Sequence, residues 1–171
     1  VVGEDVLGAA ADIYRNAWGG SLEEVAMMVA DAQRTFGEDA DLTYITEGAY
    51  AISQKLGLDT QEILNTAGIA IADFGGDGAQ VMDLFAAKLG GMSQMAAEEA
   101  LAATQEYGTV FDGLGFSLSS TLGVMGSFGE KGTIGVDKVS DAFKELTIRG
   151  SDMSEGTGKA YAALGPVSYT H

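Results

Sequence analysis

The sequence predicts an all-α fold of about nine or ten short helices, stacked as helical hairpins and joined by glycine-rich turns. Three observations carry that prediction. Apolar residues recur at spacings of three and four, as a helix buried on one face requires. Glycines, often in pairs, stop the pattern after segments of about 11 to 16 residues, where they serve as helix C-caps. No stretch alternates with a period of two for long enough to demand a strand; 147–149 and 167–169 are too short.

Taken in order, residues 5–17 place Val6, Ala9, Ala10, Ile13 and Ala17 on one face before Gly19-Gly20. Ser21 with Glu24 three residues on forms a capping box, and Leu22, Val25, Ala26, Val29, Ala32 and Phe36 supply the stripe that Gly37 closes. Residues 42–56 carry Ile45, Ala49, Ile52 and Leu56, and Gly57 is the left-handed residue at the end. Asp59 and Glu62 make a second box ahead of Ile63, Leu64, Ala67, Ala70, Ile71 and Phe74. Asp77 opens a helix with Val81, Leu84, Phe85 and Leu89, stopped by Gly90-Gly91. Ser93 caps an alanine-rich helix to Tyr107. The uncharged stretch 113–129 reads as a buried helix starting near Ser117, through Leu118, Leu122 and Met125. Residues 136–148 turn Val139, Ala142, Phe143 and Leu146 inward, and 154–164 form a last helix before Gly165-Pro166.

Composition narrows the function. The 171 residues carry 25 acidic and nine basic side chains, a net charge of −16. Nucleic-acid binding places Lys and Arg against phosphates, and nine scattered basic residues form no such patch; an anionic membrane surface is disfavoured for the same reason. There is no run of 18 apolar residues and no basic-then-apolar leader. The 25 glycines are roughly twice the usual share, but 46% apolar and 20% charged residues do not fit a disordered chain, so the glycines are expected to punctuate packed elements. With no cysteine and a single histidine, His171, the chain offers no disulfide, no thiolate or multi-histidine metal site and no histidine-based triad.

Strings that look catalytic fail on their surroundings. In Ser154-Glu155-Gly156-Thr157-Gly158-Lys159 the leading glycine of a phosphate loop is Met153, and Ala160 stands where Mg²⁺ needs a hydroxyl. Asp73-Phe74-Gly75 has none of the other kinase segments and reads as a helix end. Gly76-Asp77-Gly78 lacks its third glycine, at Val81. The Glu38-Asp39-Ala40-Asp41 run has Tyr44 where a calcium loop needs glycine, and is expected to be a solvated, helix-capping turn. Adjacent acids such as Glu23-Glu24 and Glu98-Glu99 diverge by about 100° on a helix and do not converge on a substrate. The methionines, including Met27, Met28, Met92 and Met95, are read chiefly as core filling. Trp18 is a core plug or an interface anchor. No catalytic, cofactor-binding or metal residue is assigned. Two internal matches stand out. Residues 19–37 echo 57–75 at an offset of 38; Leu56-Gly57, Leu64, Gly68, Val81, Asp83 and Phe85 recur as Leu114-Gly115, Leu122, Gly126, Val139, Asp141 and Phe143 at an offset of 58. They are either a degenerate repeat or helices obeying the same capping rules.

One stretch resembles a known family. Glu106-Tyr107, then Phe111-Asp112-Gly113-Leu114-Gly115-Phe116-Ser117, Gly132, and the run from Val136-Asp137-Lys138-Val139 through Asp141-Ala142-Phe143-Lys144-Glu145-Leu146 to Ile148-Arg149 are similar to the tail-length tape measure proteins of long-tailed bacteriophages and prophages. The likeness continues through Gly150-Ser151-Asp152 to Ala160-Tyr161-Ala162-Ala163-Leu164-Gly165 and, with the upstream hairpins, covers roughly 42–165. Leu146-Thr147 and the glycine-rich 126–132 depart from the family pattern; they concern packing. The resemblance implies a non-catalytic virion component of the phage tail, in the host cytoplasm during assembly, whose partners are other copies of itself, the tail tube protein and tail assembly chaperones. A measuring rod wants long unbroken heptads, whereas this chain breaks its helices repeatedly. Residues 1–171 are therefore expected to be one compact helical module cut from a longer chain, with a possible sub-boundary near 108–116. The competing expectations are an α-helical interaction module unrelated to phage and, behind it, an enzyme using only carboxylates and hydroxyls, such as a glycosidase, which needs two facing carboxyls about 5 to 10 Å apart.

Overall fold

Residues 3–16, 18–131 and 136–151 are described by a computed structural model, and their regular structure is helical: α1 (Glu4–Arg15), α2 (Leu22–Phe36), α3 (Leu42–Leu56), α4 (Thr60–Phe74), α5 (Gly78–Leu89), α6 (Gln94–Gly113), α7 (Leu118–Lys131) and α8 (Val136–Ser151). No strand occurs among the described residues. The all-α class is as the periodicity predicts. The described helices number eight rather than nine or ten, and the segment 154–164 lies outside the described residues. α6 also runs past Tyr107 to Gly113, because Gly108 is buried inside the helix and Phe111 beyond it is wholly buried. A buried side chain one turn on outweighs the helix-breaking tendency of one glycine.

Helix starts follow the local capping chemistry. Ser21 Oγ accepts the Glu24 N–H at 3.1 Å while Glu24 Oε2 accepts the Gly20 N–H at 3.0 Å. Asp41, Asp59, Asp77, Ser93 and Ser117 accept the N–H three residues on, from Tyr44, Glu62, Gln80, Ala96 and Ser120. Each such cap is worth about 1 kcal/mol. At the other ends, Gly57 closes α3 in the left-handed region (φ 73°, ψ 24°), and Gly75 closes α4 at φ 77°, ψ −169°, a conformation open essentially to glycine alone.

The glycines do more than punctuate. Gly48, Gly68, Gly108, Gly126 and Gly129 lie inside helices, where the missing side chain admits a neighbour. A Cβ on Gly68 would run into Thr35 Cγ2, and one on Gly129 would meet Ala96 Cβ at 3.0 Å. The expectation that glycine marks helix ends holds for the pairs and fails for these single residues. Their role is set by another helix, which local pattern does not reveal.

Two apolar clusters run through the molecule. One joins α1 and α2 to Leu42 and Tyr50 of α3; the other holds most of α3 through α7, with Phe143 of α8 packed against it. Met28, Phe36 and Ala40 pack against both.

The 58-residue offset coincides with element boundaries: α4 and α7 start at 60 and 118, α5 and α8 at 78 and 136. Gly57 and Gly115 both have positive φ, and Leu64 and Leu122 are both buried. α3 packs on α4 and α5 as α6 packs on α7 and α8. Asp83 of α5 and Asp141 of α8 each accept a tyrosine hydroxyl from the helix that leads their group, Tyr44 on α3 and Tyr107 on α6. One place earlier, the buried Val6, Ala10 and Ile13 of α1 match the buried Ile63, Ala67 and Ala70 of α4 at an offset of 57. α1 packs on α3 as α4 packs on α6, and α2 on α4 as α5 on α7. The recurrence groups the helices in threes, where the sequence reading grouped them in pairs, because the leading helix touches both that follow.

Candidate functional site

A groove of about 350 Å³ lies between α3 and α5. It exists because the facing side chains are small: Gly48 lies against Met82, and Ala51 and Ala86 leave the rim low. Tyr44 and Asp83 close one end, the hydroxyl donating to Asp83 Oδ1 at 2.5 Å. That hydrogen bond, then the charge of Asp83, raises the Tyr44 pKa above its ordinary value. On the same wall Glu47 Oε1 accepts from Asn16 Nδ2 at 2.7 Å. Trp18 stands at the margin with its ring stacked on Tyr50, centroids 6.4 Å apart and 16° from parallel. Trp18 is half-buried, so it is partly plug and partly exposed wall. Both carboxylates in the groove are thus engaged by neutral donors of the protein itself. What the groove offers is an apolar trough with a polar rim, suited to a side chain or short apolar segment.

A second concavity, about 450 Å³, lies between the α4–α5 loop and the α6–α7 turn. Its walls combine glycine backbone (Gly75, Gly76), Phe74, Phe116 and aliphatic side chains such as Val81 and Leu84, with Asp112 the one charged residue lining it. The Ser117 hydroxyl there is already used as the α7 cap and by Ser120 at 2.9 Å.

The strings singled out in the sequence resolve into structural parts. Asp73-Phe74-Gly75 ends α4; Asp73 Oδ1 accepts from Thr109 at 3.0 Å, and Phe74 packs against the core. Asp77 of Gly76-Asp77-Gly78 is the α5 cap, and Asp41 of the acidic turn is the α3 cap. Glu24 serves the start of α2 and Glu98 accepts from Gln94 at 3.0 Å. Met82 and Met125 are buried in the core, whereas Met27 and Met95 are exposed. Among the described residues no group of three His, Asp or Glu is placed to hold a metal ion, and no helix is long and apolar enough to cross a membrane. The 154–159 string and His171 lie outside the described residues.

Sequence reasoning missed the cross-links that join helices far apart in the chain. Tyr107 is buried at the α6–α8 contact and donates to Asp141 Oδ1 at 3.1 Å. Burial first, then the neighbouring carboxylates of Glu106 and Asp141, push its pKa well above the ordinary tyrosine value. Phe111, Phe116 and Phe143 meet with centroids 5.1 to 5.6 Å apart, bringing α6, the following turn and α8 together. The only sequence signal was the aromatic spacing itself.

The chain matches no protein-family model, no curated protein and no solved structure.

Proposed function

We propose that the chain is a non-catalytic structural module of a bacteriophage tail, of the tape measure kind, contributing to tail assembly and to the setting of tail length inside the tube. The supporting observation is where the residues that carry the resemblance lie: Tyr107, Phe111, Phe116, Asp141 and Phe143 form one helix-joining cluster. Their work is packing, as the resemblance implies for a structural protein. A net charge of −16 then has a use, since an acidic surface is repelled by DNA sharing the same tube. On this reading the partners are the tube protein, assembly chaperones and further copies, in the virion and in the host cytoplasm beforehand.

The test is an in-frame deletion of the module from the reading frame that encodes it, with complementation in trans. The proposal expects particles without tails or with tails of altered length, restored by the intact gene. Normal tails of normal length after the deletion would overturn it. A second reading, an α-helical repeat module that holds a partner unrelated to phage, is favoured by the α3–α5 groove and by apolar side chains exposed on α1 and α2; it predicts no effect on tails.

A further inference from the structure

The groove between α3 and α5 carries opposite chemistry at its two ends. Tyr44, Glu47 and Asp83 stand at one end, and Trp18 lies on the same side because Asn16, two residues before it, is held to Glu47. Each carboxylate spends one oxygen on a neutral donor: Glu47 Oε1 on the Asn16 amide, Asp83 Oδ1 on the Tyr44 hydroxyl. Neutral donors leave both negative charges in place, and Glu47 Oε2 and Asp83 Oδ2 have no hydrogen-bond partner among the described residues. Lys55 lies at the other end, beside Gly90. It stands eight residues beyond Glu47 on α3, about 12 Å away at the rise of a helix and so beyond the screening length of about 8 Å at physiological salt. The acidic end therefore keeps its charge. Between the ends the floor is low and apolar, formed by Gly48, Ala51, Met82 and Ala86.

We propose that this groove seats an arginine side chain presented by a partner protein, with the guanidinium at the Glu47 and Asp83 end and the aliphatic stem along the apolar floor. Charge complementarity selects a cation. Two carboxylates with an oxygen each to spare suit the fork of N–H donors on arginine, which can serve both at once. The rings of Trp18 and Tyr44 line the same end, and a planar guanidinium stacks on such faces where an ammonium does not. The source follows from the shape. Tyr44, Ala51, Asp83 and Ala86 are exposed along the trough, whereas a site for a free small molecule encloses most of its ligand. A side chain lying here is held in part by what flanks it in its own chain, and the net charge of −16 draws a basic protein in. The inference rests on the groove alone, so its failure leaves the tail reading untouched.

Trp18 is the only tryptophan of the chain, so its fluorescence reports the groove without a label. The probe is the blocked peptide acetyl-AARAA-amide, titrated into the 171-residue protein at low salt. A saturable change with a Kd on the order of 1 mM is expected. The same peptide with citrulline for arginine keeps the shape and loses the charge, and should bind at least about fivefold more weakly. Asp83→Asn and Glu47→Gln should each weaken the arginine peptide at least about threefold, while Asp112→Asn, which removes a carboxylate from the other concavity, should leave it unchanged. Ala86→Leu, at an exposed helical position, fills the trough and should abolish binding; circular dichroism should find all four variants folded. Absence of saturation, equal binding of the citrulline peptide, or equal loss in Asp112→Asn would overturn the proposal. So would butylguanidinium binding as tightly as the peptide, which would assign the groove to a free cation instead of a partner's side chain.

Discussion

Two glycines on α7 invite the same substitution and should answer with opposite signs. Alanine is favoured over glycine in a helix interior by about 0.8–1.0 kcal/mol. Around Gly123 nothing among the described residues lies within 4 Å of the Cβ position, so Gly123→Ala should realise that gain almost in full. At Gly129 the new Cβ would stand 3.0 Å from Ala96 Cβ and 3.1 Å from Ala96 Cα. Ala96 is buried in α6 and the second of those atoms is backbone, so the neighbour cannot swing aside and the two helices must part by a few tenths of an ångström. Forcing atoms into a filled contact costs about 1–3 kcal/mol. The gain is offset or exceeded, leaving Gly129→Ala between neutral and about 2 kcal/mol less stable. Urea melts followed at 222 nm test this directly. With a slope of about 1–3 kcal/mol/M, the Gly123→Ala midpoint should rise by about 0.3–1 M and the Gly129→Ala midpoint should stay or fall, at unchanged slope. If Gly129→Ala stabilises as much as Gly123→Ala, α6 and α7 do not approach as closely as described, and the account of glycine as a contact residue is wrong.

Gly75→Ala should cost about 1–3 kcal/mol through backbone strain alone, because φ 77°, ψ −169° excludes a side chain while nothing crowds the Cβ position; a thermal melt lowered by less than about 2 °C would contradict it. Tyr50→Phe should be neutral or slightly stabilising, since the buried hydroxyl has no hydrogen-bond partner among the described residues and the ring can keep its stacking on Trp18; a loss above about 1 kcal/mol in a urea melt would reveal a hidden partner. Alkaline pH should destabilise the fold. Tyr44, Tyr50 and Tyr107 all have raised pKa values, so above about pH 10 the unfolded chain gives up protons that the folded chain retains. Stability from these groups is therefore complete below pH 10 and falls as pH rises beyond it. Tyr107→Phe should flatten that limb in melts at stepped pH; an unchanged limb would mean that its burial does not persist in solution.

What was legible in the sequence was local. Ser21 with Glu24, Asp59, Asp77 and Ser93 cap the helices they were assigned to, because a cap is a hydrogen bond across three residues that the sequence contains whole. The buried face of α1, with Val6, Ala10 and Ile13, followed from period alone. What failed depended on a second helix. Periodicity turns Leu22 and Ala142 inward, but both are exposed, since periodicity shows which residues share a face but not whether anything covers it. Local pattern ends the alanine-rich helix at Tyr107, yet α6 continues through Gly108, which lies inside it against the Asp73 carboxylate, a Cβ there meeting Oδ2. The Tyr107–Asp141 bond spans 34 residues and leaves no mark on local pattern. For the site, the sequence could discard phosphate, kinase and calcium strings by their missing neighbours, but the α3–α5 groove depends on Gly48, Ala51 and Ala86 meeting across two helices.

The central claim is that the chain acts by packing as part of a phage tail. Quantitative mass spectrometry of purified tails, separated from capsids and host protein, tests it most directly. The account predicts tryptic peptides from this chain in the tail fraction at a fixed small number of copies per particle. Their absence from tails, with the intact chain recovered instead on a host protein, would contradict it.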